Sequence, residues 1–369
     1  MNRFSKQINL SELGEAGQKK LLDASVLCVG AGGLGCPALL YLASAGVGRI
    51  GILDGDVVDE SNLNRQVIFG RADIGKSKAE VAARILLEKY GDFKCIPMPF
   101  FLRNDNAVEI LEDWDLVLDC TDNFATRYLI NDACVLLGKP FVQGAIFRDE
   151  GQVAVFNHRR GKSRPCNYRD LYPNPPAAVP NCDETGVLGV LPGVIGTLQA
   201  SEAIKLITGR GVPLADELLF INLYTNTTYK LDIEPNPIAE AALPKSREVI
   251  ENRDYGISCS ADNALSWEVA KELLQSDRSG SVLVDVREEG EQPVINLPSH
   301  VKLPLKELKN KVGFLREYDR VLFFCRSGRR SMEAIAEVKS EINGRLYSIE
   351  GGLLHPDSPV KKSESWKNL

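Results

Sequence analysis

Through the first 145 residues, short apolar runs alternate with amphipathic stretches. Runs near 25–30, 49–54, 93–98, 115–119 and 140–143, rich in Val, Ile and Leu, read as strands; the helical periodicity near 33–45, 76–90 and 123–138 reads as helices. Strands of this kind separated by helices imply a mainly parallel sheet covered on both faces. A further strand is expected over Gln152–Phe156, after which the pattern lapses: Asn157 to Asp183 has no sustained period and contains RRGKSRP and LYPNPPAAVPNC. Loops of that length inside a compact unit are usually functional or mobile. A Gly/Ala-rich helix over Leu191–Gly209 and two strands, 217–223 and 227–233, close the first unit.

Residues 234–258, EPNPIAEAALPKSREVIENRDYGIS, mix prolines with charges and read as a linker. Periodicity resumes near Ser260 with a helix over 266–275, strands over 281–286 and 320–325, a helix over 329–342 and a strand over 345–349. The expected organisation is therefore a Rossmann-like α/β unit over 1–233, a linker over 234–258 and a smaller α/β unit over 259–369.

Composition narrows the field only slightly. With 369 residues, 44% of them hydrophobic and 25% charged, the chain has the make-up of globular protein. A net charge of −6 argues against a nucleic-acid partner or any other general polyanion. The start, MNRFSKQINL, is charged, and no run approaches the roughly 18 apolar residues of a membrane span, so neither leader nor membrane is expected. Nine cysteines at irregular spacing read as thiols of a reducing compartment, and a cytoplasmic location is the expectation.

The first βα turn carries the candidate chemistry. In VLCVGAGGLG, the glycines Gly30, Gly32, Gly33 and Gly35 lie between an apolar strand and a helix start. Glycines let the backbone approach a phosphate, and the helix N-terminus favours negative charge there. Asp54 ends the next strand 19 residues after Gly35, where a ribose-binding carboxylate belongs. The turn alone is compatible with NAD, ATP, FAD or no nucleotide. Cations decide between them: a triphosphate carries more charge than the pyrophosphate of NAD and normally needs cationic side chains and a divalent metal. Arg65, Lys76 and Lys78 follow closely, and Asp122, in DCTDN, falls at the carboxyl end of a later strand, where it could hold Mg²⁺.

Between residues 3 and 233 the motifs RFSKQI, GAGGLG, LDGDVVDESNLNRQ, GKSKA, DCTDN and PNCDETGVLGVLPGVIGTLQASEAIKLITG follow in that order. In these the chain closely resembles the MoeB/ThiF/HesA family, the bacterial relatives of ubiquitin-activating enzymes. The resemblance implies a Rossmann-like adenylation domain that uses ATP and Mg²⁺ to activate the C-terminal Gly-Gly carboxylate of a small ubiquitin-like sulfur-carrier protein. Carried over by position, Gly30, Gly32, Gly33 and Gly35 form the phosphate turn, Asp54 binds the ribose, Asn62, Arg65 and Lys78 bind the triphosphate, Asp56 and Gln66 line the same site, and Asp122 holds the metal. The resemblance also implies a homodimer in which the N-terminal motif serves the neighbouring subunit's ATP. Lys6 stands there in place of the family's second arginine, keeping the charge but not the bidentate fork. Cys182, in VPNCDETG, aligns with a crossover-loop cysteine that can bond covalently to the activated carrier.

Many members carry two C-x-x-C pairs that hold structural zinc. Here the first region reads PCNYRD, with Cys166 alone, and residues 233–250 contain no cysteine, so no zinc is expected. Cys28 and Cys120, in apolar strands, read as packing residues.

In the second unit, VLFFCRSGRRS places Cys325 at the end of an apolar strand among Arg326, Arg329 and Arg330, at the opening of a helix. A helix N-terminus and guanidinium groups stabilise a thiolate or persulfide. With VLVDVREEGE upstream and IEGGL downstream, this unit resembles a rhodanese-type sulfurtransferase, although QPVINLPSHVKLPL departs from the usual GHIPGA region. A phosphatase would need arginine at position 331, which is Ser331. Together the two resemblances imply adenylation followed by sulfur transfer to a thiocarboxylate for molybdopterin or thiamine synthesis, with a cysteine desulfurase or other donor supplying sulfur. Two other classes compete. An NAD-dependent oxidoreductase lacks a hydride-site residue, since His158, His300 and His355 all fall in expected loops. A non-catalytic scaffold that binds the carrier would keep the nucleotide only for folding.

Overall fold

The computed structural model describes residues 3–91, 93–174, 186–253, 255, 264–276, 280–295, 297, 300–339, 341–342, 344–349, 351–355 and 357–361. The chain forms two compact units, Met1–Ile257 and Ser258–Leu369.

The first unit is built on eight strands: β1 Ser25–Val29, β2 Arg49–Leu53, β3 Lys94–Met98, β4 Leu116–Asp119, β5 Phe141–Phe147, β6 Glu150–Phe156, β7 Glu217–Asn222 and β8 Thr227–Asp232. Their order is β3-β2-β1-β4-β5-β6-β7-β8, parallel from β3 to β5 and antiparallel from there on. Alternation sorts the side chains of β1 between two cores. Val26 and Cys28 join the cluster formed with helices Gly35–Ala45, Lys78–Tyr90 and Val190–Thr208; Leu27 and Val29 join the one formed with Ala107–Glu112 and Phe124–Leu137. Chain order reverses between β1 and β4, and open α/β sheets bind ligands at the carboxyl ends of strands at such a point.

Two expectations about this unit need correction. The segment 234–258 is not a bare linker: Pro237–Ala242 and Arg247–Asn252 are helices, and Ala239, Ile250 and Tyr255 are buried against the sheet unit. What fastens the segment is Asp132, itself fully buried. It accepts a bidentate pair from Arg169 at 2.7 and 2.8 Å, a bond from Arg253, and the Tyr255 hydroxyl at 2.7 Å. Second, among the described residues one helix, Val190–Thr208, is long and apolar enough by length and composition to cross a membrane. It packs on the sheet, where Gln199 donates to the carbonyls of Asp119 (2.7 Å) and Val142 (3.2 Å), and Glu202 accepts the Leu214 N–H at 2.8 Å. Its apolar residues are those of a helix packed in a protein core, among them the buried Leu191, Ile195, Ala200 and Ala203.

The second unit is a parallel sheet of order β11-β10-β12-β13-β9, with β9 Ala264–Leu265, β10 Ser281–Asp285, β11 His300–Lys302, β12 Arg320–Phe324 and β13 Arg345–Ile349. Core clusters cover both faces of β10 and β12. His300 opens β11 rather than lying in a loop, and the helix expected over 329–342 ends at Val338.

Candidate nucleotide site and thiol site

Backbone geometry dictates the glycine turn. Gly30 has φ +95°, and a Cβ on it would lie 2.8 Å from the Cys120 carbonyl oxygen, beside the Cys120 N–H that donates to the Val29 carbonyl at 2.9 Å and joins the ends of β1 and β4. A Cβ on Gly35 would lie 2.0 Å from the Gly30 carbonyl oxygen, so the first turn of the helix can close on the strand only without a side chain. At Gly33 the neighbours are Pro192 and the Arg65 stem, at 3.0 and 3.5 Å from the position of a Cβ, and at Gly32 the Gln66 amide at 3.8 Å. The structure thus brings Arg65 and Gln66 to the turn, as the sequence suggested. It also brings Pro192, which only the return of the chain at Val190–Thr208 could place there.

Asp54, buried at the end of β2, accepts the Ala31 N–H at 2.7 Å and the Asp56 N–H at 2.9 Å. Burial pushes its carboxyl above the usual carboxylate range, opposed chiefly by the nearby Lys78 ammonium. Lys78, at the first position of its helix and 7% exposed, donates to Asp56 Oδ2 at 3.0 Å. Arg65 donates to the Ser61 carbonyl and the Asn64 side chain, both at 3.1 Å, beside the 3₁₀ turn that holds Asn62. Gln66 is buried, and its Oε1 has no hydrogen-bond partner among the described residues. Two cations, Arg65 and Lys78, and two carboxylates, Asp54 and Asp56, thus border the glycine turn.

Asp122 follows β4 and is exposed. Among the described residues no three His, Cys, Asp or Glu side chains gather as a metal site. The donor set still suits magnesium, which keeps several waters and is commonly held by one or two carboxylates with substrate phosphates. It does not suit tetrahedral zinc at Cys166, which is buried, lies 3.2 Å from the Ile233 carbonyl and has Arg164 and Asp170 ion-paired nearby.

Lys6 is not brought to the crevice of its own chain. Its helix, Ser5–Ile8, docks by Phe4 and Gln7 at Gly46 and Ala45, the far end of the helix whose start carries the glycines. Eleven residues of helix separate the two ends, about 16 Å. Cys182 lies outside the described residues. Cys28 and Cys120 are buried, with their sulfurs 3.7 Å apart.

In the second unit Cys325 follows β12, and its Sγ accepts the Gly328 N–H at 3.2 Å. Ser331 Oγ lies 3.8 Å from that sulfur and also bonds to the Gly328 carbonyl and Ser348. The chain from Cys325 to Gly328 therefore wraps the sulfur just before the helix Arg329–Val338. Arg326 is exposed, whereas Arg330 forms a two-point pair with Glu291. Nothing in the sequence pattern marks Glu291, whose role depends on a tertiary contact.

A glycine turn, a ribose-type carboxylate and two bordering cations at a topological switch point define a nucleotide-binding α/β protein. The chain belongs to the ThiF family, whose model matches residues 4–240. It is 41% identical over 365 residues to a probable adenylyltransferase/sulfurtransferase MoeZ of Mycobacterium tuberculosis, covering 95% of this chain and 91% of that one. It is 38% identical to an adenylyltransferase and sulfurtransferase MOCS3 of Xenopus laevis, over 95% and 85% of the two chains. A sulfur carrier protein adenylyltransferase of Thermus thermophilus is 47% identical, over 70% of this chain and 96% of its own. Among solved structures, E. coli MccB with ATP superposes with TM-score 0.56 at 22% identity, covering 65% of this chain and 75% of that one, a likeness of fold.

Proposed function

We propose that this chain adenylates the C-terminal Gly-Gly carboxylate of a small ubiquitin-like sulfur-carrier protein and then converts it to a thiocarboxylate. The observation that carries the first step is the convergence of Lys78, Arg65 and Asp54 on the Gly30–Gly35 turn. A carboxylate oxygen of the carrier attacks the α-phosphorus of ATP, and pyrophosphate leaves. The turn's N–H groups, Asn62, Arg65 and Lys78 hold the phosphates in line, Asp54 holds the ribose, and Asp56 and Gln66 support them. Magnesium on Asp122, when bound, neutralises phosphate charge.

The second step uses Cys325. As a persulfide its outer sulfur attacks the acyl carbon and AMP leaves; a second thiol, Cys182 in this proposal, then cleaves the S–S bond to release the thiocarboxylate. That cleavage leaves a Cys325–Cys182 disulfide, which an external thiol reductant returns to two thiols with two electrons; a cysteine desulfurase or another persulfide donor then recharges Cys325. The protein works as a cytoplasmic homodimer, with Lys6 reaching the partner's nucleotide and no structural zinc. Its product serves molybdopterin or thiamine synthesis.

Pyrophosphate exchange tests the first step. With a Gly-Gly-ending carrier and MgATP, labelled pyrophosphate is expected to enter ATP. Tight NAD binding with no exchange would overturn the proposal.

A further inference from the structure

Thr121 immediately precedes Asp122, and both ends of its main chain are held by charged side chains. Its N–H and Oγ1 donate to Asp119 Oδ1 at 3.0 and 2.6 Å, while its carbonyl accepts from Arg127 Nη2 at 2.9 Å. Asp119 ends β4 and is fully buried; Arg127, in the helix Phe124–Leu137, is 8% exposed. Gln199 fastens the Asp119 carbonyl from the Val190–Thr208 helix, and Asn123 caps the helix that follows by accepting the Thr126 N–H at 2.8 Å. The peptides on both sides of Thr121, directly before Asp122, are thus pinned.

Burying a carboxylate and a guanidinium costs several kcal/mol each, and apolar residues of similar volume would serve packing as well or better. Burial pushes the Asp119 carboxyl upward, and the Arg127 guanidinium opposes that shift. Asp119 Oδ2 and Arg127 Nε have no hydrogen-bond partner among the described residues, so the bonds that are made converge on Thr121. What the two charges achieve is orientation of one peptide, next to an exposed carboxylate at the switch point.

We propose that Asp119 and Arg127 are positioning residues that fix the 120–123 loop and aim Asp122 at the phosphate end of the crevice. The inference rests on Asp122 as the holder of the metal–nucleotide.

The test uses the full chain and compares Arg127→Gln, Arg127→Lys and Thr121→Val with Asp122→Ala. Calorimetry reads the affinity for AMP and for ATP with Mg²⁺, and exchange reads the Mg²⁺ concentration for half-maximal rate. Arg127→Gln is expected to keep AMP affinity, lose roughly 10- to 100-fold in MgATP affinity, and need correspondingly more Mg²⁺, as when an outer partner of a metal ligand is removed. Arg127→Lys, which keeps a donor for the Thr121 carbonyl, recovers part of the loss. Thr121→Val, which removes only the hydroxyl bond, shows a smaller shift in the same direction and carries the test if Arg127→Gln fails to fold. AMP and MgATP affinities falling together would reduce the pair to a structural role and overturn the proposal. So would parental MgATP affinity in Arg127→Gln, or in Thr121→Val where that variant carries the test, beside a crippled Asp122→Ala. Parental MgATP affinity in Asp122→Ala itself would overturn the assignment of Asp122, and the proposal with it.

Discussion

Gly30 and Cys120 meet where the strand order reverses: the space a Gly30 side chain would need is occupied, at 2.8 Å, by the Cys120 carbonyl oxygen. The turn proposed to hold the nucleotide therefore sits where the ends of β1 and β4 meet. Gly30→Ala adds a steric clash to a left-handed φ of +95°, and a loss of roughly 1–3 kcal/mol is expected from the backbone alone. Thermal unfolding checks the stability, and calorimetric titration with ATP is expected to show no binding. Unchanged unfolding and binding would contradict the turn geometry.

Lys78 is buried by its own helix start and points at Asp56, so its ammonium is a fixed charge. Lys78→Met keeps the stem and removes the charge. If this charge serves the outer phosphates, as proposed, ATP affinity is expected to fall by roughly 100-fold, with AMP affinity changed far less. Equal losses for ATP and AMP would place Lys78 elsewhere.

The segment Asn236–Tyr255 belongs energetically to the first unit through Asp132. Arg253→Ala leaves the buried Asp132 carboxylate with Arg169 as its one guanidinium partner among the described residues, and a loss of about 3 kcal/mol is expected. Tyr255→Phe, which removes one bond to a charged acceptor, costs about 2 kcal/mol. Denaturant unfolding of the first unit reads both; values near zero would return the segment to a mere linker.

Hydrogen bonds from the Arg330 guanidinium hold the Glu291 carboxyl at about 2, below its ordinary value of 4.5. A depressed carboxyl stabilises the fold fully above pH 4.5 and loses that contribution as pH falls toward 2. The second unit is expected to lose stability over that window, and Glu291→Gln to flatten the slope. Identical acid profiles for the two proteins would contradict the pairing.

What sequence reveals here depends on how local the contacts are. Gly30 to Gly35, Asp54 and Lys78 stand on consecutive strand ends and helix starts, and periodicity locates those ends. Pro192 over Gly33 and Glu291 on Arg330 are contacts between distant stretches that no spacing encodes. The helices Pro237–Ala242 and Arg247–Asn252 are six residues each, too short for a periodic signal, and owe their order to tertiary docking. Asp119 and Arg127 bracket Asp122 within one motif, but their burial and shared hold on Thr121 appear only in the fold.

Mass spectrometry of the carrier beside pyrophosphate exchange tests most directly whether the two units carry successive steps of one reaction. Cys325→Ser removes the sulfur nucleophile and touches no phosphate contact, so exchange is expected to persist while the rate of thiocarboxylate formation, read by the oxygen-to-sulfur mass change on the carrier, falls at least about 100-fold, on the order of 3 kcal/mol. Asp122→Ala is expected to lose exchange yet keep thiosulfate sulfurtransferase activity. Undiminished thiocarboxylate from Cys325→Ser, with sulfur supplied only through this protein, would contradict the account and leave the second unit without a part in the chemistry.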